Sequence, residues 1–336
     1  VNQTATQEDA LPSASPNEFA GPAVEIRNVT KTFGKFKALD DVSFDIPRQS
    51  LFGMLGPNGA GKTTLFSIAA GFVRPNAGTV TILGVPTSNI SRLRGRLSML
   101  PQDAAFQGGI PIIEQLTMFG ELSGMSRSDA TDAGMEALTM VGLQAWAKRS
   151  ARVLSHGMAK RVALCQAFLG NPEVIFLDEP TAGLDPENAR KIRLLIRSMT
   201  RDATVVLSSH NLKEIQEICD HACIIDRGRV KAVGSMASLT SAGKIFRITL
   251  PGGPSPALQQ TLAANPNVDT VETTGPDTFN LHLNVSESAD SSSLMKFLYQ
   301  TFLDADVFPT GIQEGGSLES IFLQITGGVY DGGSST

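Results

Sequence analysis

The sequence predicts an α/β fold, a mainly parallel sheet with helices on its faces, followed by a smaller α+β domain. Three observations predict it. Apolar runs at 51–55, 174–177, 204–208 and 222–225 read as buried strands in rhythm with helix-like stretches. A Gly-rich loop separates the first run from a helix candidate at 62–70, closed by Gly71. From residue 244 the pattern restarts as β-α-β-β-α-β, the order of a ferredoxin-like unit.

The bulk numbers agree with two domains. The chain has 336 residues, and a domain takes roughly 150. Hydrophobic residues make up 41% and charged residues 18%, enough to bury a core. Net charge is −5, with no basic excess, so no nucleic-acid partner is expected. Cys165, Cys219 and Cys223 form no metal-binding or disulfide pattern and read as structural thiols of a reduced compartment. No run approaches the roughly 20 apolar residues of a membrane span, and no apolar segment at the start reads as a signal peptide. The expectation is a chain soluble by itself, meeting a membrane only through a partner.

Along the chain, residues 1–22 read as a disordered tail and 328–336 as a flexible one. The main domain covers 23–235. Val24, Ile26 and Val29 alternate with polar residues and suggest an edge strand. Stretches at 113–122 and 130–141 suggest a helical subdomain over about 105–165. Asp226-Arg227-Gly228 reads as a tight turn between two strands. Residues 236–243 read as a linker, and 244–327 as the accessory domain. Its strands are expected at 244–250, 268–273, 278–285 and 307–313, its helices at 256–264 and 291–304, with a short helix near 318–325.

Residues 56–63, Gly56-Pro57-Asn58-Gly59-Ala60-Gly61-Lys62-Thr63, carry the spacing of a phosphate-binding P-loop. Glycine lets the backbone turn so that several N–H groups face one phosphate chain. The following helix adds about half a positive charge at its N-terminus. Lys62 is placed to reach the β and γ phosphates and Thr63 to hold Mg²⁺, with Thr64 beside them. A plain Gly-rich surface loop is the alternative, but a chance match arises only about two times in a hundred. Val174 to Leu177 form an apolar strand that ends in Asp178 and Glu179. Asp178 suits Mg²⁺, which takes oxygen ligands. Glu179 suits a group that orients or deprotonates the attacking water. Solvated loop acids or a helix cap would be the bland reading of the pair.

On these residues the chain resembles the ABC ATPases, P-loop NTPases with a helical subdomain, from residue 24 to about 235. The densest stretch, at 161–186, is RVALCQAFLGNPEVIFLDEPTAGLDP. The resemblance implies ATP and Mg²⁺ as cofactors. It implies a Q-loop at Gln102, touching Mg²⁺ and nucleophile, and a signature loop at 154–158, whose Ser155 and Gly157 face the γ-phosphate of an opposite subunit. It also implies a D-loop at Asp185, a switch histidine at His210 and an adenine-stacking aromatic at Phe33. Asp185 before Pro186 is equally a sound helix N-cap, with Ala189, Ile192, Ile196 and Met199 following at helical spacing. Phe33 stands where the family more often has Tyr. The signature loop departs further: the usual Leu-Ser-Gly-Gly-Gln is Leu154-Ser155-His156-Gly157-Met158, ahead of a helix expected at 158–169.

The implied machine is a head-to-tail pair of nucleotide-binding subunits, identical or not, working on integral-membrane permease subunits at the cytoplasmic face of the membrane. The ending Ser317-Leu318-Glu319-Ser320-Ile321-Phe322-Leu323 resembles ATP-binding subunits of bacterial exporters of drugs, antibiotics and lipids rather than sugar importers. Two alternatives stay open: a soluble ABC ATPase without a permease, and a nucleotide-gated regulatory module with little hydrolysis. The first would be expected to carry two nucleotide domains or long coiled coils, and the second to lack the Glu179, Gln102 and His210 set.

Overall fold

A computed structural model describes residues 21–200, 202–241, 245–283, 291–314, 318 and 321–322. The expected tails, save residues 21 and 22, lie outside the described residues. The chain opens with β1 (Val24–Phe33), β2 (Phe36–Ile46), β3 (Leu51–Leu55), α1 (Lys62–Ala69), β4 (Ala77–Ile82), β5 (Val85–Pro86) and β6 (Leu97–Leu100). Next come α2 (Ile112–Leu122), α3 (Arg127–Met140), α4 (His156–Phe168), β7 (Val174–Asp178), α5 (Pro186–Met199), β8 (Thr204–Ser209), α6 (Leu212–Ile218), β9 (His221–Asp226) and β10 (Arg229–Ser235).

Among the described residues the core sheet runs β10-β9-β3-β8-β7-β6, parallel except where β10 turns back on β9. Strands β3, β7 and β8 are buried along their whole length. Burial on both faces is what a parallel sheet covered by helices requires, hence the unbroken apolar runs. Side chains alternate between the two faces. Phe52, Met54, Phe176, Val206 and Ile225 join a core with α1 and the antiparallel sheet β2-β1-β4-β5. Leu51, Leu55, Ile175, Leu177, Val205 and Ile224 enter the opposite core, with α5, α6 and the end of α4.

The alternating stretch at 24–33 is not an edge strand. β1 pairs with β2 on one side and β4 on the other. Its polar positions mark a solvated face, since alternation reports which face is buried and says nothing of lateral neighbours. The expected linker is structured over its described part, 236–241. α7 (Met236–Ser241) begins there, with the Ser238 N–H donated to Ser235 Oγ at 3.0 Å and Leu239 buried in the core. A serine cap and one apolar anchor suffice to order a small, polar stretch. The Asp226-Arg227-Gly228 signal is the β9–β10 hairpin, with φ of 46° at Arg227 and 74° at Gly228, as a primed turn needs.

Helices α2, α3 and α4 share their own core of Ile112, Leu116, Leu138, Val162 and Cys165. Beyond α7 come β11 (Ile245–Thr249), α8 (Pro256–Ala263), β12 (Val268–Gly275), β13 (Thr278–Leu283), α9 (Ser291–Asp304) and β14 (Gly311–Glu314). They form an antiparallel sheet β12-β13-β11-β14 with the expected element order. Phe246, Phe279, Leu298 and Phe302 fill its core. Leu318 and Phe322, one helical turn apart, pack into the core of the main domain instead. The Leu318 N–H donates to Gln216 on α6 at 3.1 Å.

The three cysteines are buried free thiols. Burial pushes Cys165 and Cys223 up to about 12, and raises Cys219 well above the ordinary value, with Glu214 and Asp220 adding to the effect. At pH 8 a thiol with that pKa is ionised in about one molecule in ten thousand. Iodoacetamide is therefore expected to label none of the three in the native chain and all three in denaturant. Because the folded pKa values are raised, their contribution to stability is complete below about pH 9 and declines as pH rises toward about 12. A falling melting temperature across that window checks the sign.

Candidate active site

β3 ends against the backbone of β9. A Cβ on Gly56 would lie 2.3 Å from the Ile225 carbonyl oxygen, so only glycine lets the strand leave the sheet there. Gly59 and Gly61 take φ of 79° and 109°, curling the loop into the start of α1. The β9–β10 turn braces it from behind, through a Gly228 N–H donated to the Ala60 carbonyl at 2.9 Å. The loop faces a cleft lined by Phe36, Ala38, Asn58, Gly59, Ala60, Gly61, Lys62, Thr63, Thr64, Gln102 and Glu179.

Lys62 is 6% exposed. Its ammonium donates to the Gly56 carbonyl at 2.7 Å and the Pro57 carbonyl at 3.3 Å, and lies 3.7 Å from Glu179 Oε1. Burial lowers its pKa, and the carboxylates of Glu179 and Asp178 work against that shift. A lysine held out of water beside an open cleft is arranged for an anion.

Asp178 and Ser208 are register partners on β7 and β8. The Ser208 hydroxyl donates to Asp178 Oδ1 at 2.5 Å and accepts the Glu179 N–H at 2.9 Å. Glu179 sits at φ 48°, a left-handed conformation that a non-glycine residue adopts at a cost. That turn aims its carboxyl group into the cleft. Its Oε2 lies 2.9 Å from His210 Nδ1, just past the end of β8. Gln102, past the end of β6, lines the same cleft, and its carbonyl accepts from Lys160 Nζ on α4 at 2.9 Å.

The cleft thus gathers the P-loop, Gln102 and Glu179, with Asp178 buried behind and His210 on Glu179. Phe33 is not among the residues lining it. Its ring lies 4.9 Å from the Lys31 ammonium, and the aromatic at the cleft is Phe36, its register partner across the β1–β2 turn. An aromatic two residues before the buried Ala38 was the available signal. Lys160, which ties the signature helix to Gln102, carried none. Ser155, Gly157 and Asp185 do not line the cleft either. Ser155 caps α4, which starts at His156 rather than at 158, by accepting the Met158 N–H at 3.3 Å. Asp185 caps α5 by accepting the Asn188 N–H at 3.0 Å, and this hydrogen bonding lowers its pKa. A Cβ on Gly157 would meet the Asn188 amide at 2.9 Å, and one on Gly183 would meet His156 Nε2 at 3.4 Å.

A strand, a P-loop, a buried lysine and a strand-end acid pair define a nucleoside triphosphatase of the P-loop class. The comparisons narrow it. The family model described as ABC transporter matches residues 39–182. The Nod factor export ATP-binding protein I of Paraburkholderia xenovorans (strain LB400) is 31% identical over 315 residues, covering 91% of this chain and 97% of that protein. The daunorubicin/doxorubicin resistance ATP-binding protein DrrA of Streptomyces peucetius is 30% identical, covering 91% of this chain and 92% of that protein. A solved ATP-binding subunit of an ABC transporter is 25% identical with a TM-score of 0.59, covering 65% of this chain and 91% of that one. The chain belongs to the ATP-binding proteins of ABC transporters, a family of ATPases.

Two outcomes follow from the geometry. Replacing Lys62 with Met should abolish the rise in melting temperature that ATP produces, and should lower that of the ligand-free chain, since Glu179 and Asp178 stay buried without their cation. Thermal melts with and without ATP check both. Phe36→Ala should weaken ATP binding by about fivefold or more, the scale of base stacking, and Phe33→Ala by far less, as titration with a fluorescent nucleotide would show.

Proposed function

We propose that this chain is the ATP-hydrolysing subunit of an exporter, powering a separate membrane permease. The observation that carries the proposal is the convergence of Lys62, Thr63, Gln102 and Glu179 on one cleft, with Asp178 behind them. The P-loop amides and Lys62 bind the phosphate chain, and Phe36 stacks on the base. Glu179 orients and deprotonates the attacking water, and His210 fixes the Glu179 carboxylate. Thr63, Gln102 and Asp178 offer the oxygen donors that suit Mg²⁺, which when bound neutralises charge developing on the phosphates.

Ser155 and Gly157 reach no part of their own chain's cleft, which supports their serving a second subunit's site in a head-to-tail pair. The altered signature loop keeps the serine and the helix N-terminus such a site needs. Export is favoured by the relatives, which are export and resistance proteins. Their match spans more of this chain than a nucleotide-binding domain alone. No helix among the described residues is long and apolar enough to cross a membrane. On this reading a separate permease holds the chain at the cytoplasmic face, which the relatives' names as ATP-binding proteins support. The unit from β11 to β14 is, on this reading, a ferredoxin-like accessory domain.

Purification of the tagged chain from membranes in mild detergent tests the reading, with a stoichiometric multi-span protein expected alongside it. Soluble partners alone would overturn the transport role. In the same preparation Glu179→Gln should bind ATP, accumulate as a closed pair and lose turnover. Unchanged turnover would remove Glu179 from its role.

A further inference from the structure

Glu214 on α6 is a buried acid outside the cleft, 4% exposed. Its Oε2 accepts two hydroxyl hydrogen bonds, from Thr181 Oγ1 at 2.9 Å and from Ser209 Oγ at 2.8 Å. Oε1 has no hydrogen-bond partner among the described residues. Burying a carboxylate against neutral hydroxyls is costly for the fold, and such departures concentrate where function asks for them. The two donors point to what is gained. Thr181 lies two residues after Glu179, and Ser209 immediately precedes His210. One oxygen atom therefore ties together the two loops that carry the groups facing each other at 2.9 Å in the cleft.

The tether is itself braced. Ser209 Oγ accepts the Asn211 N–H at 3.0 Å, and Asn211 Oδ1 caps α6 by accepting the N–H of Glu214 at 3.2 Å. The loop at 179–184 is folded on itself, with the Ala182 N–H donated to the Glu179 carbonyl at 3.2 Å and the Leu184 N–H to that of Thr181 at 3.2 Å. Glu179 holds its left-handed conformation only if that loop is fixed at both ends. Ser208 fixes the start through the Glu179 N–H, and Thr181, anchored on Glu214, fixes the continuation.

We infer that Glu214 is a positioning residue for hydrolysis, holding Glu179 and His210 in register through Thr181 and Ser209. The inference rests on the reading of Glu179 and His210 given above. Nucleotide binding, made by the P-loop amides and Lys62, should largely survive its loss, since Asp178 also acts on the lysine.

The test measures turnover and ATP affinity separately in the full chain. Glu214→Ala should lower kcat by about tenfold or more while leaving the dissociation constant for a fluorescent ATP analogue within about twofold. Glu214→Gln, which keeps an acceptor oxygen, should recover most of the loss. Thr181→Val with Ser209→Ala should lower kcat similarly and add little to Glu214→Ala, since all three act through one tether. If Glu214→Ala does not fold, the Thr181→Val and Ser209→Ala variants, which remove one hydroxyl each, decide the question. Unchanged kcat in the folded variants, or kcat and affinity falling together with melting temperature, overturns the inference. Glu179→Gln run alongside separates the two readings. If it is inactive while the Glu214 variants turn over normally, only the positioning role falls. If it turns over normally, the assignment of Glu179 falls, and this inference with it.

Discussion

The ammonium of Lys62 is the charge around which the site is arranged. It lies out of water at the start of α1, where burial favours its neutral form, and its carbonyl partners Gly56 and Pro57 come from the loop that precedes it. Two carboxylates on the neighbouring strand, Glu179 and Asp178, hold the proton on. The acids and the lysine each offset part of the cost of burying the other. The charge can be kept only because the loop is stripped of side chains where it touches β9, and because β7 ends in acids at the level where β3 ends in the P-loop.

That level is set by the order of strands. β3 lies between β9 and β8, and β8 lies beside β7, so the carboxyl ends of β3, β8, β7 and β6 open on one edge of the sheet. A parallel sheet gathers its functional residues there because every strand end faces the same way. β3 brings the phosphate loop, β7 the acids, β8 Ser208 and His210, and β6 Gln102. The register of β7 on β8 puts Ser208 opposite Asp178, and one hydroxyl then serves both acids, accepting from the backbone of one and donating to the side chain of the other. On the face away from α1, Gly53 allows α6 to pack close, with a would-be Cβ only 2.4 Å from Ile215 Cγ2. The helix after His210 is thereby fixed to the strand before the P-loop.

The unbroken apolar runs and the P-loop were legible because they answer to local physics. A strand buried on both faces has little choice of residue, and a loop that cradles phosphate needs glycine at set positions. The pattern from β11 to β14 was legible for the same reason. Lateral order was not. Alternation in β1 showed its buried face but could not show that β4 lies on its far side, since strand pairing is decided by distant sequence. Nor could the sequence tell which aromatic borders the cleft, because Phe33 and Phe36 flank one turn as register partners and only the fold puts Phe36 in the lining. Glu214 was invisible: an acid in a short helix reads as a solvated residue until Thr181 and Ser209 are seen to converge on it.

The remaining candidate groups, Ser155, Gly157 and Asp185, do not line the cleft of their own chain. Ser155 caps α4 and Asp185 caps α5. These two helix starts are not independent. Gly157 packs on the Asn188 amide, Asn188 Nδ2 donates to Asp185 Oδ2 at 2.6 Å, and His156 lies over Gly183. A Cβ at 157 would make the Asn188 side chain shift, whereas glycine at 183 is called for by its φ of 76° rather than by crowding. In a two-fold pair each copy would offer these helix starts to the other's cleft, and the symmetry would make both sites at once. His156, where the family resemblance expects glycine, is exposed, with its Nε2 3.4 Å from where a Cβ on Gly183 would lie. Its imidazole is therefore open to solvent as well as to Gly183, and any effect on a nucleotide bound across such a pair need not run through its own chain.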